Sequence, residues 1–129
     1  MDASALLPLV LPDEDATLAL RVLDSGRSLI APDLLHLETA NTIAVARRRK
    51  RIDDDQKDEA LAILAALPVR TRPVVRPENM DEIAALALRR NLSVYDALYL
   101  RMACEERCEL ASLDAALRRA AKAEGVLLF

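Results

Sequence analysis

Four acidic side chains carry the chemistry open to this sequence: Asp2, Glu38, Asp96 and Asp114. Asp96 and Asp114 belong to one stretch, Leu92 to Asp114. It reads as a helix with an acid in its first turn, then a short strand, then a second acid where that strand gives out. In open parallel sheets the carboxyl ends of the strands form the ligand crevice, so acids at such ends can face one pocket. Carboxylates gathered there repel one another and raise their own pKa values unless a positive ion joins them. Oxygen ligands without His or Cys select Mg²⁺ or Mn²⁺ over zinc, and the single histidine, His36, reads as a surface or boundary residue.

Each acid also has an ordinary reading. Ser93 with an acid three residues later resembles a capping box, and Asp96 in a first turn favours the helix dipole. Asp114 stands directly before a helical run, as an N-cap does, and Asp2 can cap the first turn in the same way. Glu38 is different. It lies mid-helix among Leu34, Leu35 and Leu37, where burial costs several kcal/mol unless the carboxylate meets an arginine or a bound cation.

The elements that must position these groups follow from the hydrophobic pattern. A helical turn covers Ala5 to Leu11, and Pro12 to Asp15 look like the acidic first turn of a helix running to Ser25, closed by Gly26. Ser28 to Ala31 reads as a buried strand. Pro32 then starts a long helix that carries Glu38 with Asn41 and Thr42 on the same side and ends in the cations Arg47 to Arg51. Asp53 or Asp54 caps the next helix, which Pro68 stops. Val69 to Val75 alternates as a half-buried edge strand, and a helix follows from Pro77 to Asn91. The last helix is Ala115 to Glu124, followed by an apolar strand, Val126 to Phe129. Strands alternating with helices predict an α/β layer structure with a mainly parallel sheet.

Composition limits the alternatives. The chain of 129 residues is the size of one domain, and 53% apolar with 30% charged residues excludes a disordered or fibrous chain. The apolar run from Ala5 is too short to span a bilayer and is broken by Pro8, and no basic segment precedes it, so neither a membrane span nor a signal peptide is expected. Cys104 and Cys108 lack the partners of a zinc site and read as buried free thiols, which fits the cytoplasm. A net charge of −3 gives no general attraction to nucleic acid.

Asp2-Ala3-Ser4, Glu38 with Asn41, Tyr95-Asp96-Ala97-Leu98-Tyr99 and Ser112-Leu113-Asp114 together resemble, in order and spacing, the acidic motifs of PIN-domain proteins, especially the VapC-type toxins of toxin–antitoxin pairs. The resemblance covers nearly the whole chain and implies a single PIN-like α/β/α domain over residues 1–129. The family pattern has a central strand before its first Asp. Here only Met1 precedes Asp2, so that strand is expected to be truncated or reduced to almost nothing. The implied activity is Mg²⁺- or Mn²⁺-dependent endoribonuclease action, held in check by a cognate antitoxin. Asp2, Glu38, Asp96 and Asp114 would hold one or two ions, with Asp2 and Asp96 the direct ligands. Ser4 and Ser112 would orient those carboxylates or a bound water, and Asn41 would support them from behind.

Arg47 to Arg51, with Arg70, Arg72 and Arg76, are candidates for contact with RNA backbone phosphates, although cations at a helix C-terminus also suit the dipole. Three aromatic residues leave little scope for base stacking. Apolar stripes on the N-terminal helices predict a homodimer or a groove filled by the antitoxin. Two other readings stand beside this one: a non-catalytic interaction domain of the same fold whose acids are caps and ion-pair partners, and a nuclease directed at DNA.

Overall fold

The structure is a computed structural model that describes residues 1–73 and 76–129. Among the described residues seven α-helices surround a thin parallel sheet in an α/β/α arrangement. The helices are α1 (Ala3–Leu6), α2 (Thr17–Asp24), α3 (Leu34–Arg48), α4 (Asp54–Ala66), α5 (Met80–Arg90), α6 (Val94–Glu106) and α7 (Ala115–Ala123). The strands are β1 (Leu29–Pro32) and β2 (Val69–Arg72), paired in parallel from Leu29 with Val69 to Pro32 with Arg72. The crossover between them is the α3–α4 hairpin. Of the strand expected over Val69 to Val75, Val74 and Val75 lie outside the described residues.

Local chemistry explains most boundaries. Asp53 and Gln56 close a reciprocal capping box on α4, Ser93 caps α6 and Asp114 caps α7, each satisfying a first-turn N–H that the helix leaves unpaired. Two expectations need correction. Pro32 ends β1 instead of starting α3; at that end of the ladder its missing N–H is tolerated, and Asp33 donates to the Arg72 carbonyl in the next position (2.9 Å). Nor do Asp13 and Glu14 lie in a helical first turn. Arg51 pairs with both, and α2 begins only at Thr17, whose N–H and hydroxyl both donate to Asp15.

The sheet is narrower than the four strands expected. Leu110 and Leu128 form an isolated parallel bridge, with Leu110 N–H donating to Leu127 and Phe129 N–H donating to Leu110. Between this bridge and β1 lie the first two residues. The Met1 amine donates to the Ile30 carbonyl (3.1 Å) and the Asp2 N–H donates to the Ala111 carbonyl (3.1 Å). Successive residues bonding to opposite sides is how a strand inside a sheet behaves. Met1 and Asp2 thus form an extended stub between β1 and the Leu110–Leu128 bridge, and it delivers Asp2 to the start of α1.

The main core joins α1, α2, α5, α6 and α7 to β1 through residues such as Leu6, Ile83, Leu100, Leu110 and Leu117, all fully buried. Each such side chain contributes about 1.5–3 kcal/mol relative to exposure. A smaller cluster of Leu7, Leu11, Ile43, Ala46, Ile52 and Ala60 fastens α3 and α4 to the turn after α1. A cleft of about 450 Å³ opens between Leu29–Ile30 and Cys108–Glu109, and it is lined by none of the four acids. Cys104 and Cys108 are free thiols as expected but not buried: Cys104 is exposed and Cys108 half-buried, because the end of α6 faces outward there. No helix among the described residues is long and apolar enough to cross a membrane.

Candidate functional site

Asp2 is the best-held of the four acids. It is buried, 4% exposed, and a buried carboxylate needs partners for each oxygen. Oδ1 accepts the Ala5 N–H (3.0 Å) and the Ser4 hydroxyl (2.9 Å), while Oδ2 accepts the Ser112 hydroxyl (2.7 Å). Burial raises its pKa, and the hydrogen bonds from Ser112, Ser4 and Ala5 pull it partly back. Ser112, itself fully buried, accepts the Asp114 N–H (3.0 Å). Ser4 accepts the N–H groups of Leu113 (2.9 Å) and Asp114 (3.2 Å). The two serines thus tie the start of α1 to the start of α7, and with it Asp2 to the backbone of Asp114.

Glu38 reaches the same neighbourhood from α3. It is half-buried, and the Tyr99 hydroxyl on α6 donates to its Oε2 at 2.5 Å. Burial raises the Glu38 pKa, the Tyr99 hydrogen bond lowers it, and the negative charges of Asp96 and Asp2 raise it again. Tyr99 feels the same three acids; burial first, then Glu38, Asp2 and Asp96, hold its hydroxyl far above the ordinary phenol range. The charges of Asp2 and Asp96 therefore reach the pair formed by Glu38 and Tyr99.

Asp96 sits in the first turn of α6, half-buried, and its Oδ2 accepts the Ser93 hydroxyl (2.6 Å). Asp114 is exposed, and its Oδ1 accepts the Leu117 N–H (2.7 Å). The ordinary roles read from the sequence hold for three of the four: Asp2 and Asp114 cap helices, and Asp96 completes the Ser93 cap. Asn41 is exposed on α3, one turn beyond Glu38.

Ion pairing divides the acids of the chain: the four candidates, like Asp15, Asp24, Asp33, Asp53, Asp55, Glu59, Glu78 and Asp81, stand outside the ion pairs among the described residues. Arginines pair with Asp13, Glu14, Asp54, Glu82, Glu105, Glu106, Glu109 and Glu124. Among the described residues no Lys, Arg or His forms an ion pair with Asp2, Glu38, Asp96 or Asp114. Nor do any three acidic, His or Cys groups among them stand together as a ready-made cage for an ion. The donor chemistry of the four acids, all oxygen and all without a cationic partner, suits a hard divalent ion.

Two contacts escaped the sequence reading. Tyr99 appeared there only within a motif, although its position three residues past Asp96 puts both on one helix face. Arg118, four residues past Asp114, donates to the Ser112 carbonyl (2.9 Å) and is the cation that stands against this network. The basic run at the end of α3 is partly engaged elsewhere: Arg47 grips Asp54 through two hydrogen bonds and Arg51 grips Asp13 and Glu14. Arg70 donates to Ser28 and Arg72 to Glu106. Glu106 is the last residue of α6, ten positions from Asp96 and about 15 Å along the helix axis at 1.5 Å per residue.

The profile of the PIN domain family matches residues 1–123. Ribonuclease VapC3 of Pyrobaculum aerophilum is 30% identical over 114 residues, covering 88% of this chain and 87% of that protein. The acids and serines around Asp2 accordingly lie in a chain that belongs to the PIN domain family and is of the VapC type.

Proposed function

We propose that this protein is a divalent-metal-dependent endoribonuclease toxin that hydrolyses RNA phosphodiesters. One observation carries the reading. Ser4 and Ser112 hold the Asp2 carboxylate and bring the Asp114 backbone beside it, the half-buried Glu38 carboxylate lies within reach of the Asp2 and Asp96 charges, and none of the four has a cationic partner among the described residues. The relative named Ribonuclease VapC3 supports RNA as the substrate.

Asp2, Glu38, Asp96 and Asp114 would hold Mg²⁺ or Mn²⁺, with Ser4 and Ser112 fixing Asp2 and with Asn41 placed to support Glu38. A bound ion supplies hydroxide near neutral pH and positive charge opposite the phosphate. The protein's own part is to keep Asp2 rigid, to keep Glu38 directed inward, and to bring the Asp114 backbone beside them. Arg48, Arg49 and Lys50, left over from the ion pairs of their neighbours, and Arg118 beside Ser112 are the cations we assign to backbone phosphates. A cognate antitoxin would cover the exposed apolar side chains of the helices, among them Leu37 at 71% exposure, Leu61 and Ile63, and homodimerisation would use the same kind of surface. The setting is the cytoplasm, and residues 1–129 act as one domain.

The test is cleavage of RNA and of single-stranded DNA of the same sequence by wild type and Asp96→Asn, with Mg²⁺ or with EDTA. RNA cleavage by wild type alone, abolished by EDTA, is the expected result; cleavage of DNA instead assigns the other nucleic acid. The caps made by Asp2 and Asp114, and the Ser93 contact of Asp96, favour a second reading, a non-catalytic interaction domain. Wild type and Asp96→Asn equally inactive on both substrates, with Mg²⁺ raising neither melting temperature, would establish that one.

A further inference from the structure

We infer that Tyr99 is a positioning residue, whose hydroxyl directs the Glu38 carboxylate toward a divalent cation while leaving its charge intact. The inference rests on the metal-dependent reading above and adds a residue to it. Glu38 stands in the middle of α3, where no helix end offers N–H groups to hold it. The one donor to its carboxylate among the described residues is the Tyr99 hydroxyl, at 2.5 Å. That donor is rigid. The Tyr99 ring is 3% exposed and packed in the main core, so its hydroxyl occupies a fixed point and takes Glu38 with it.

The chemical nature of the donor matters as much as its place. A buried or half-buried carboxylate is ordinarily stabilised by Arg or Lys, which neutralises it and removes its attraction for a metal ion. A phenol is neutral. It satisfies one lone pair, fixes the plane of the carboxylate and leaves a full negative charge for a cation. Arginines are plentiful here, and Arg101, two residues further along α6, already pairs with Glu82 and Glu105. Position 99 nevertheless carries the uncharged donor. Tyr99 also stands three residues past Asp96, on the same face of α6, so one helix presents a carboxylate and the group that sets the angle of a second one. Groups that orient a metal ligand from behind typically change affinity 10–100-fold when removed.

The experiment measures Mn²⁺ affinity by calorimetry for wild type, Tyr99→Phe, Glu38→Gln and the double variant, with melting temperatures in EDTA as the check on folding. Phe keeps the ring and its packing. Tyr99→Phe is expected to weaken Mn²⁺ binding about 10-fold, and to have no further effect once Glu38 is Gln, because Tyr99 acts through that carboxylate. A general loosening of the core would instead weaken both backgrounds alike. Wild-type affinity in Tyr99→Phe overturns the inference, and so does an equal loss in both backgrounds. If Tyr99→Phe does not fold, Glu38→Asp, which draws the carboxylate back from the hydroxyl, takes its place, and wild-type affinity there overturns the inference equally. Absence of Mn²⁺ binding by wild type refutes the metal-dependent reading itself, a result distinct from either of these.

Discussion

The Ser112 hydroxyl donates a 2.7 Å hydrogen bond to Oδ2 of Asp2, joining positions 110 residues apart in sequence. Ser112 is fully buried and Asp2 nearly so, which makes this contact part of the fold as well as of the acid centre. Ser112→Ala leaves Oδ2 of buried Asp2 with only the longer contact from the Ser4 hydroxyl (3.1 Å), a loss of about 1–3 kcal/mol. Urea unfolding of the variant is expected to show a lower midpoint at unchanged slope. An unchanged midpoint would mean that water replaces the hydroxyl without penalty.

Burial raises the pKa values of Asp2 and Glu38, so the folded protein holds more protons than the unfolded chain just above their ordinary values of 3.8 and 4.5. Stability therefore falls as pH rises through that window and on to the raised folded values. A divalent ion competes with those protons. Melting temperatures in EDTA should decline with rising pH across this range relative to Asp2→Asn, and Mg²⁺ should lift the wild type more at pH 7 than at pH 5. A Mg²⁺ effect independent of pH would place the ion elsewhere.

Asp114 combines a cap with a candidate ligand, and two substitutions separate these roles. Asn caps a helix about as well as Asp, whereas Ala forfeits about 1 kcal/mol. Asp114→Asn should keep the wild-type unfolding midpoint and lose RNA cleavage; Asp114→Ala should lose both. Full cleavage by Asp114→Asn would confine the residue to capping α7.

At the end of α3 the cations fall into two sets. Arg47 and Arg51 hold other parts of the chain, whereas Arg48, Arg49 and Lys50 form no ion pair among the described residues. Replacing those three by Ala should reduce the salt dependence of single-stranded RNA binding, by up to about 0.7 in log–log slope for each phosphate that the run no longer neutralises. The melting temperature should change little. Binding measured by fluorescence anisotropy at several salt concentrations decides it, and an unaltered slope removes the run from the RNA path.

Lys50 adopts a left-handed backbone conformation, φ 59°, just past α3, and the following Arg51 N–H closes back on the Ala46 carbonyl (3.0 Å). Side chains other than glycine are strained there by about 1 kcal/mol or more. Lys50→Gly is expected to stabilise the protein in urea unfolding. A lower midpoint would show that the lysine side chain outweighs its backbone strain.

What could be read from the sequence was what depends on neighbours in the chain. The caps at Asp53, Ser93 and Asp114 use contacts three residues apart, and all are present. The misplaced start of α2 comes from Arg51, 37 and 38 residues away, which holds the acids that would otherwise have suited a first turn. Glu38 stood out as an acid that no cap explains, but its partner Tyr99 lies 61 positions on, in a motif where the hydroxyl gave no sign of its target. Strands were over-read for a similar reason: Val126 to Phe129 has strand-like composition, yet only Leu128 forms a bridge, since pairing depends on a neighbour that periodicity does not reveal.

The stub formed by Met1 and Asp2 hangs from one hydrogen bond on each flank, to Ile30 and to Ala111. Side chains on extended backbone alternate between faces, so a shift of one position would turn Asp2 away from Ser112 and bring Met1 or Ala3 in its stead.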